Sequence, residues 1–206
     1  MKKFINLFSV LFALFATVGI ISSCSSDNDT PTPPSPSGFS KGTFYMYYGT
    51  TDDELDIASF KFKFTYRDEN GNEKTEEDVV DKSAFTATLP YKEYISQVDG
   101  LKFYKRPVKI NSLPGVVMCE ASYVLKNGTE IAAEKINAAQ AIVLSFQPDG
   151  SQNSFVGKIS STKGNGVEKD KIQGLLDSYM KTASRLYIIQ TSGDILTQSI
   201  SGNSEN

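Results

Sequence analysis

The chain has 206 residues and a formal net charge of −3, from 21 basic and 24 acidic side chains, and it contains no histidine. This charge balance gives no electrostatic reason to expect nucleic acid or an anionic membrane surface as a partner. The absence of histidine excludes Ser-His-Asp and Cys-His catalysis, histidine zinc sites and histidine pH switches, so the composition favours a protein that is not an enzyme and needs no cofactor.

The N-terminal segment has the pattern of a signal peptide. Two lysines precede an apolar run over residues 4–21, and small residues follow it without a basic stop-transfer cluster. The next residues resemble a lipobox, the motif at which bacterial lipoproteins are cleaved and lipidated. That motif consists of Ile21, Ser22, Ser23 and Cys24. The resemblance implies removal of residues 1–23, a diacylglycerol on the Cys24 thiol, and attachment to the membrane through acyl chains.

The residues that follow the lipobox predict where the protein is displayed. Residues 25–29 are acidic and resemble the export tag of Bacteroidota surface lipoproteins, which implies an outer-membrane protein facing the cell exterior. A plain solvated linker is the alternative interpretation. Residues 24–38 are rich in proline and serine and predict an extended stalk. We expect a single mostly β domain over residues 39–202 and a disordered tail over 203–206.

The first predicted strand, residues 42–48, carries the candidate ligand patch. Tyr45 and Tyr47 lie two residues apart and therefore share one face, whereas Tyr48 points the other way. Exposed tyrosine rings can stack on sugars, so Tyr45 and Tyr47 are a possible glycan-binding pair. Because tyrosine is also a common strand residue, packing in the core or rim is the favoured alternative.

An acidic cluster follows this strand. It consists of Asp52, Asp53, Glu54 and Asp56. Carboxylates of this kind can bind calcium, but the spacing is not that of an EF-hand loop. We therefore predict a solvated loop without a metal.

Residues 59–67 alternate strictly between aromatic and polar side chains, which predicts a strand with one buried and one solvated face. Asn70-Gly71 predicts a tight type I′ turn, after which the acidic residues 73–81 return as an antiparallel strand. In that register Lys63 lies opposite Asp78. The acidic residues of the return strand are candidates for a glycosidase carboxylate pair, but cross-strand pairing with lysines explains them better.

Alternation and turn residues predict the remaining elements. Further strands are expected over residues 84–89, 101–105, 108–110, 115–126, 129–135, 141–146, 154–159, 186–191 and 195–200. Arg106-Pro107 is expected to interrupt one strand, Asn127-Gly128 to form a second hairpin turn, and residues 160–166 to form a loop. Apolar residues at helical spacing predict an amphipathic helix over residues 168–182.

These elements predict a mainly β protein, an antiparallel β-sandwich with one helix in its C-terminal region. A lipocalin-like barrel is the alternative architecture. The alternation and turn spacing through Asn127-Gly128 resemble immunoglobulin-like modules of surface lipoproteins, although their Cys-Trp-Cys core is absent. Cys119 has no cysteine partner once Cys24 is lipidated, so it is expected to be a buried thiol. Ser178 and Lys181 match an S-x-x-K pattern by chance, since its companion motifs are missing.

From the sequence we expect a non-catalytic lipoprotein on the cell surface that binds a glycan or an envelope protein. A subunit or anchor of a fimbria-like assembly is the alternative. The expected membrane contact is the lipid on Cys24, and the candidate ligand residues are Tyr45 and Tyr47. No catalytic, cofactor-binding or metal-binding residue is predicted.

Overall fold

Alternation of apolar and polar residues gives several strands one face to bury, and the domain buries these faces between two sheets. The structure, a computed structural model, describes residues 38–90, 99–126, 135–157 and 160–200. Within those ranges the strands form two five-stranded antiparallel sheets and no closed barrel. The predicted β-sandwich is therefore confirmed, in preference to the lipocalin-like barrel.

Strands and helices are numbered in chain order. They are β1 (Gly42–Thr50), α1 (Asp52–Ile57), β2 (Ala58–Arg67), β3 (Glu73–Val80), β4 (Lys102–Ile110), β5 (Gly115–Leu125), β6 (Lys135–Pro148), β7 (Phe155–Val156), β8 (Ser160–Glu168), α2 (Ile172–Ala183), β9 (Arg185–Ile189) and β10 (Ile195–Ser199). Sheet A has the order β4-β1-β6-β7, and β8 also pairs with β6. Sheet B has the order β10-β9-β5-β2-β3.

The core lies between the inner faces of the two sheets and is mainly aromatic. Phe60, Phe62 and Phe64 of β2 are fully buried, as the alternation in β2 predicts. The Phe62 ring lies 5.0 Å from the Tyr48 ring of β1 and stacks on Tyr104 of β4 at 5.4 Å between centroids. Each buried side chain of this size contributes about 1.5–3 kcal/mol, so this strand is the main hydrophobic contribution of sheet B.

The predicted amphipathic helix is confirmed as α2, which begins after a 3-10 turn at Lys169–Lys171. Its buried side chains are Ile172, Leu176, Tyr179, Met180 and Ala183. Gln140 of β6 donates a hydrogen bond to the Tyr179 carbonyl at 2.8 Å, and the Ser184 hydroxyl accepts one from the Ala121 amide of β5 at 2.9 Å. The helix is therefore attached to both sheets.

Residues 160–166 are not the predicted loop but belong to strand β8. This strand pairs with the first half of β6, with Lys163 opposite Ala139. The segment contains few apolar residues, so its sequence has no alternation to reveal it. Because β8 lies at the edge of sheet A, backbone hydrogen bonds to β6 hold it without a buried side-chain face.

Two further strand predictions are wrong around β4. Pro107 lies inside the continuous strand β4 rather than interrupting it, because β4 is the edge of sheet A and needs hydrogen bonds on one side only. Residues 84–89 do not form a strand. The Asp81 carboxylate caps a 3-10 turn at Lys82–Ala84, and a single bridge joins Ala87 to Phe103.

The first hairpin, β2–β3, is confirmed, but its register differs from the prediction. Lys63 lies opposite Glu77, and Asp78 lies opposite Phe62. The connection is a loop over residues 68–72 rather than a two-residue turn, because the Asp68 carboxylate accepts hydrogen bonds from the amides of Asn70 and Asn72. The longer loop shifts the return strand by one residue.

The predicted hairpins β6–β7 and β9–β10 are also confirmed. The predicted signal peptide, Cys24, nearly all of the stalk, the Asn127-Gly128 turn and the tail lie outside the described residues. In the part of the chain that the structure describes, neither helix has the length and apolarity that a membrane crossing requires.

Candidate functional site

The outer faces of the two sheets differ, and this difference locates the candidate site on sheet A. The outer face of sheet B is charged, with ion pairs between Lys61 and Glu77 and between Lys63 and Glu120. The outer face of sheet A carries an apolar cluster instead. Its buried members are Tyr47, Leu89, Phe103, Ala141 and Val143. These side chains are buried, so they form a second, smaller core on the outer side of sheet A.

The predicted ligand pair, Tyr45 and Tyr47, lies on this outer face of sheet A. The two rings lie 6.4 Å apart, as expected for side chains on one face of a strand. Tyr47 is buried in the apolar cluster, whereas Tyr45 is partly exposed. The Lys105 ammonium lies 4.4 Å from the centre of the Tyr45 ring, in a cation–π contact. A sugar that stacked on this side of Tyr45 would have to displace Lys105.

A cleft lies at the end of sheet A where β1 ends. The cleft has a volume of about 380 Å³, which lies in the range of small-molecule sites. The helix α1, the segment before β4, and strands β6 and β8 all contribute to its lining. The main polar side chains are those of Thr51, Asp52, Asp53, Asp99, Asn137 and Lys163.

The lining of the cleft offers hydrogen-bond donors and acceptors of several kinds. The residues that line it include the acidic Asp52 and Asp53, the basic Lys163 and the amide-bearing Asn137. Among the described residues, no group of three or more acidic or cysteine side chains is arranged to hold a metal ion. Mixed polar chemistry of this kind suits a ligand with many hydroxyl groups better than a metal or a strongly charged ligand.

The acidic cluster beside the cleft is a short helix and not the predicted solvated loop. Thr51 and Glu54 form a capping box, in which each side chain bonds the backbone amide of the other residue. The Asp53 carboxylate accepts a hydrogen bond from the Asn137 amide at 2.8 Å, and Asp52 pairs with Lys82. The Thr-x-x-Glu spacing at residues 51–54 is the sequence signal that identifies this helix start.

Glu54 is fully buried behind the cleft wall. Its Oε2 atom accepts hydrogen bonds from the Thr50 hydroxyl at 2.8 Å and the Thr51 amide at 3.2 Å, and the Thr51 hydroxyl oxygen lies 2.9 Å from it. A third bond comes from the Ala139 amide at 3.0 Å. Burial raises the pKa of Glu54, and these donors oppose the rise because they stabilise the carboxylate.

The other sequence candidates lie away from the cleft. Glu76 and Asp78 of β3 both bind Arg106 of β4, so these carboxylates join the two sheets. Ser178 and Lys181 are both exposed on α2. Cys119 is a buried free thiol, and its burial raises its pKa well above the ordinary value, which makes it a poor nucleophile.

The cleft and the start of the domain lie at opposite ends of sheet A. The Phe39 amide donates to the Thr191 carbonyl at 2.8 Å, close to where β1 begins at Gly42. Strand β1 then extends to Thr50, beside the cleft, a distance of about 26 Å at roughly 3.3 Å per residue. Comparison of the chain with protein-family models, with curated proteins and with solved structures found no match.

Proposed function

We propose that the chain is a non-catalytic lipoprotein of the outer membrane, anchored through Cys24 and facing the cell exterior, whose domain binds a glycan in the cleft beside α1. The lipobox and the acidic residues after it support the anchor and the location. The observation that carries the binding proposal is the cleft itself, with its mixed polar lining at the end of an apolar sheet face.

A glycan suits the cleft better than an envelope protein does. Protein partners bury on the order of 800 Å² on each side of an interface, usually over a flat surface with an apolar centre. The cleft is concave, and its lining residues include ones with carboxylate, amide, hydroxyl and ammonium side chains. Sugar hydroxyls both donate and accept hydrogen bonds, so they can pair with each of these groups.

Binding is tested with the mature lipidated protein in detergent, titrated calorimetrically with polysaccharide purified from the envelope of the same cells. Asn137→Ala and Lys163→Ala remove cleft side chains, and Lys181→Ala on exposed α2 is the matched control. We expect both cleft variants to weaken binding and the control to bind as the wild type does. No binding by the wild type, or equal binding by all variants, would contradict the proposal.

Location is tested separately with a cross-linking reagent that cannot pass the outer membrane. Labelling of the protein on intact cells supports the outward orientation. Labelling only after lysis would show that the protein faces the periplasm. A third variant, Cys24→Ala, should release the protein from the membrane fraction if the lipid is the anchor.

A fimbria-like subunit is the second candidate, and the position of β1 favours it. β1 is the first described strand, yet it lies between β4 and β6 and pairs with both. Its removal would leave a groove that a strand from another copy can fill, as in donor-strand assembly. Limited proteolysis that releases β1 should then produce concentration-dependent polymers. A trimmed product that stays monomeric or unfolds would refute this candidate.

A further inference from the structure

We propose that Glu54 is the positioning residue of the cleft, because its carboxylate holds the two walls of the cleft at their observed separation. This inference rests on the proposed function for the role of the cleft, but the geometry of the walls can be tested without a ligand. One wall is the start of α1 at Thr51–Asp53 and the other is the first half of β6 at Asn137–Ala139.

Three hydrogen bonds connect the walls. The Thr51 hydroxyl donates to the Asn137 carbonyl at 2.8 Å, and the Asn137 amide donates to the Asp53 carboxylate at 2.8 Å. The Ala139 amide donates to Glu54 Oε2 at 3.0 Å. Of these three bonds, the one to Glu54 is buried, so water competes with it least.

The end of the strand ladder explains why carboxylates are needed here. The pairing between β1 and β6 ends at Gly49 and Ala141, yet β6 extends back to Lys135. The amides of Asn137 and Ala139 therefore lie beyond the last residue of β1 that can accept from them. Asp53 and Glu54 take the place of strand carbonyls, since buried or half-buried amides require acceptors.

The two oxygens of the Glu54 carboxylate have unequal environments. Oε2 accepts hydrogen bonds from the Thr50 hydroxyl and from the amides of Thr51 and Ala139, whereas the buried Oε1 has no hydrogen-bond partner. The titratable groups that face Glu54 are the phenols of Tyr48 on β1 and Tyr179 on α2, and Asp53 is its neighbour on α1. The Ala139 amide on one wall donates to the Glu54 carboxylate. A change in the charge of Glu54 therefore changes the strength of this hydrogen bond.

The test follows the Ala139 amide proton by NMR in the full mature chain while the pH is lowered. In the wild type this resonance should titrate with Glu54, because its hydrogen bond weakens when the carboxylate is protonated. Glu54→Gln should abolish that titration and reduce the affinity for envelope polysaccharide about tenfold, because a neutral amide oxygen accepts the Ala139 bond more weakly than a carboxylate does.

Thr50→Val is a second variant that does not rely on Glu54→Gln folding. It removes one donor from Oε2 without altering either wall, so the Ala139 titration should move to higher pH. Thr65→Val, which removes a hydroxyl contact between β2 and β3, is the matched control and should leave the titration unchanged.

The outcomes separate this inference from the proposed function. An Ala139 resonance that does not titrate in the wild type, or that titrates equally in Glu54→Gln, would overturn the positioning role. Polysaccharide affinity that is unchanged in Glu54→Gln would overturn it as well. If the wild type binds no polysaccharide while Ala139 titrates as expected, the proposed function fails and the coupling of Glu54 to the walls stands.

Discussion

Replacement of Arg106 by methionine tests what closes the sandwich along its β3–β4 side. Arg106 lies on the edge strand of sheet A and contacts both Glu76 and Asp78 on the edge strand of sheet B. Its Nη1 atom lies 3.1 Å from each oxygen of the Asp78 carboxylate. The Tyr104 hydroxyl donates to the same carboxylate, so the contact between the sheets consists of charged and polar groups together.

The expected change in the free energy of unfolding depends on how exposed these side chains are to water. The side chains of Arg106, Glu76 and Asp78 are 18%, 32% and 24% exposed. Removal of one partner of a fully buried ion pair costs about 3–5 kcal/mol, and an exposed pair contributes about 1 kcal/mol or less. For this intermediate case we expect Arg106→Met to lower the free energy of unfolding by about 2 kcal/mol, or the Tm by about 4–8 °C.

The assay is urea unfolding followed by tyrosine fluorescence and far-UV circular dichroism, since the chain has 10 tyrosines and no tryptophan. The matched control is Lys63→Met, which removes an ion pair to Glu120 whose side chains are 42% and 37% exposed. The control should change the free energy of unfolding by less than about 0.5 kcal/mol. Equal effects of the two substitutions would refute the reasoning.

The loss of stability in Arg106→Met is predicted to depend on pH. Hydrogen bonds from Lys74 and Tyr66, together with the charge of Arg106, hold the pKa of Glu76 below its ordinary value. A carboxyl with a depressed pKa in the folded state contributes stability above its unfolded pKa, and this contribution is lost as the pH falls through the folded value. The difference between wild type and Arg106→Met should therefore shrink in acid.

Four other outcomes follow from the structure. Phe62→Ala should lower the free energy of unfolding by about 3–5 kcal/mol in urea titrations, because the ring is fully buried among aromatic side chains. Gly49→Ala should lower the Tm by an amount equivalent to about 1–3 kcal/mol, since its added Cβ would lie 2.4 Å from the Phe103 ring. Cys119 is buried, so it should react with a thiol reagent only as fast as the domain opens. Labelling of the native protein, stopped at a series of times, measures this rate. Burial raises the pKa of Glu54, so wild-type stability should increase relative to Glu54→Gln as the pH falls from neutral through that raised value.

Strands with a buried and a solvated face were predictable from the sequence. The alternation in β2 places Phe60, Phe62 and Phe64 on one face, and no other arrangement of those residues would bury all three. The helix α2 was predictable for the same reason, because its apolar residues recur at helical spacing and form one face. In both elements the side chains themselves determine which face is inside.

The edge strand β8 and the register of β3 were not predictable in this way. β8 is held by backbone pairing with β6, and backbone groups are the same in every residue, so its sequence carries no alternation. The register of β3 depends on the Asp68 carboxylate, which extends the loop beyond a two-residue turn. A shift of one residue places Glu77, rather than Asp78, opposite Lys63.

The candidate site was only partly accessible to sequence analysis. The Thr-x-x-Glu pattern at residues 51–54 indicates a helix start and could have identified α1. The cleft itself combines residues 51–53, 99–101, 137–139 and 163, which only the sheet pairing brings together. Tyr45 and Tyr47 were placed correctly on one face, but the burial of Tyr47 depends on Leu89 and Phe103, which no local pattern assigns to that face.

The cleft can be traced to a difference in length between two neighbouring strands. β1 ends at Thr50, whereas β6 continues past its last partner to Lys135, so part of β6 has no strand beside it on that side. The chain fills this gap with a helix start, whose side-chain carboxylates accept hydrogen bonds from the amides of Asn137 and Ala139. The cleft lies beside this helix start. A longer β1 would satisfy the same amides with carbonyls, and it would fill the site.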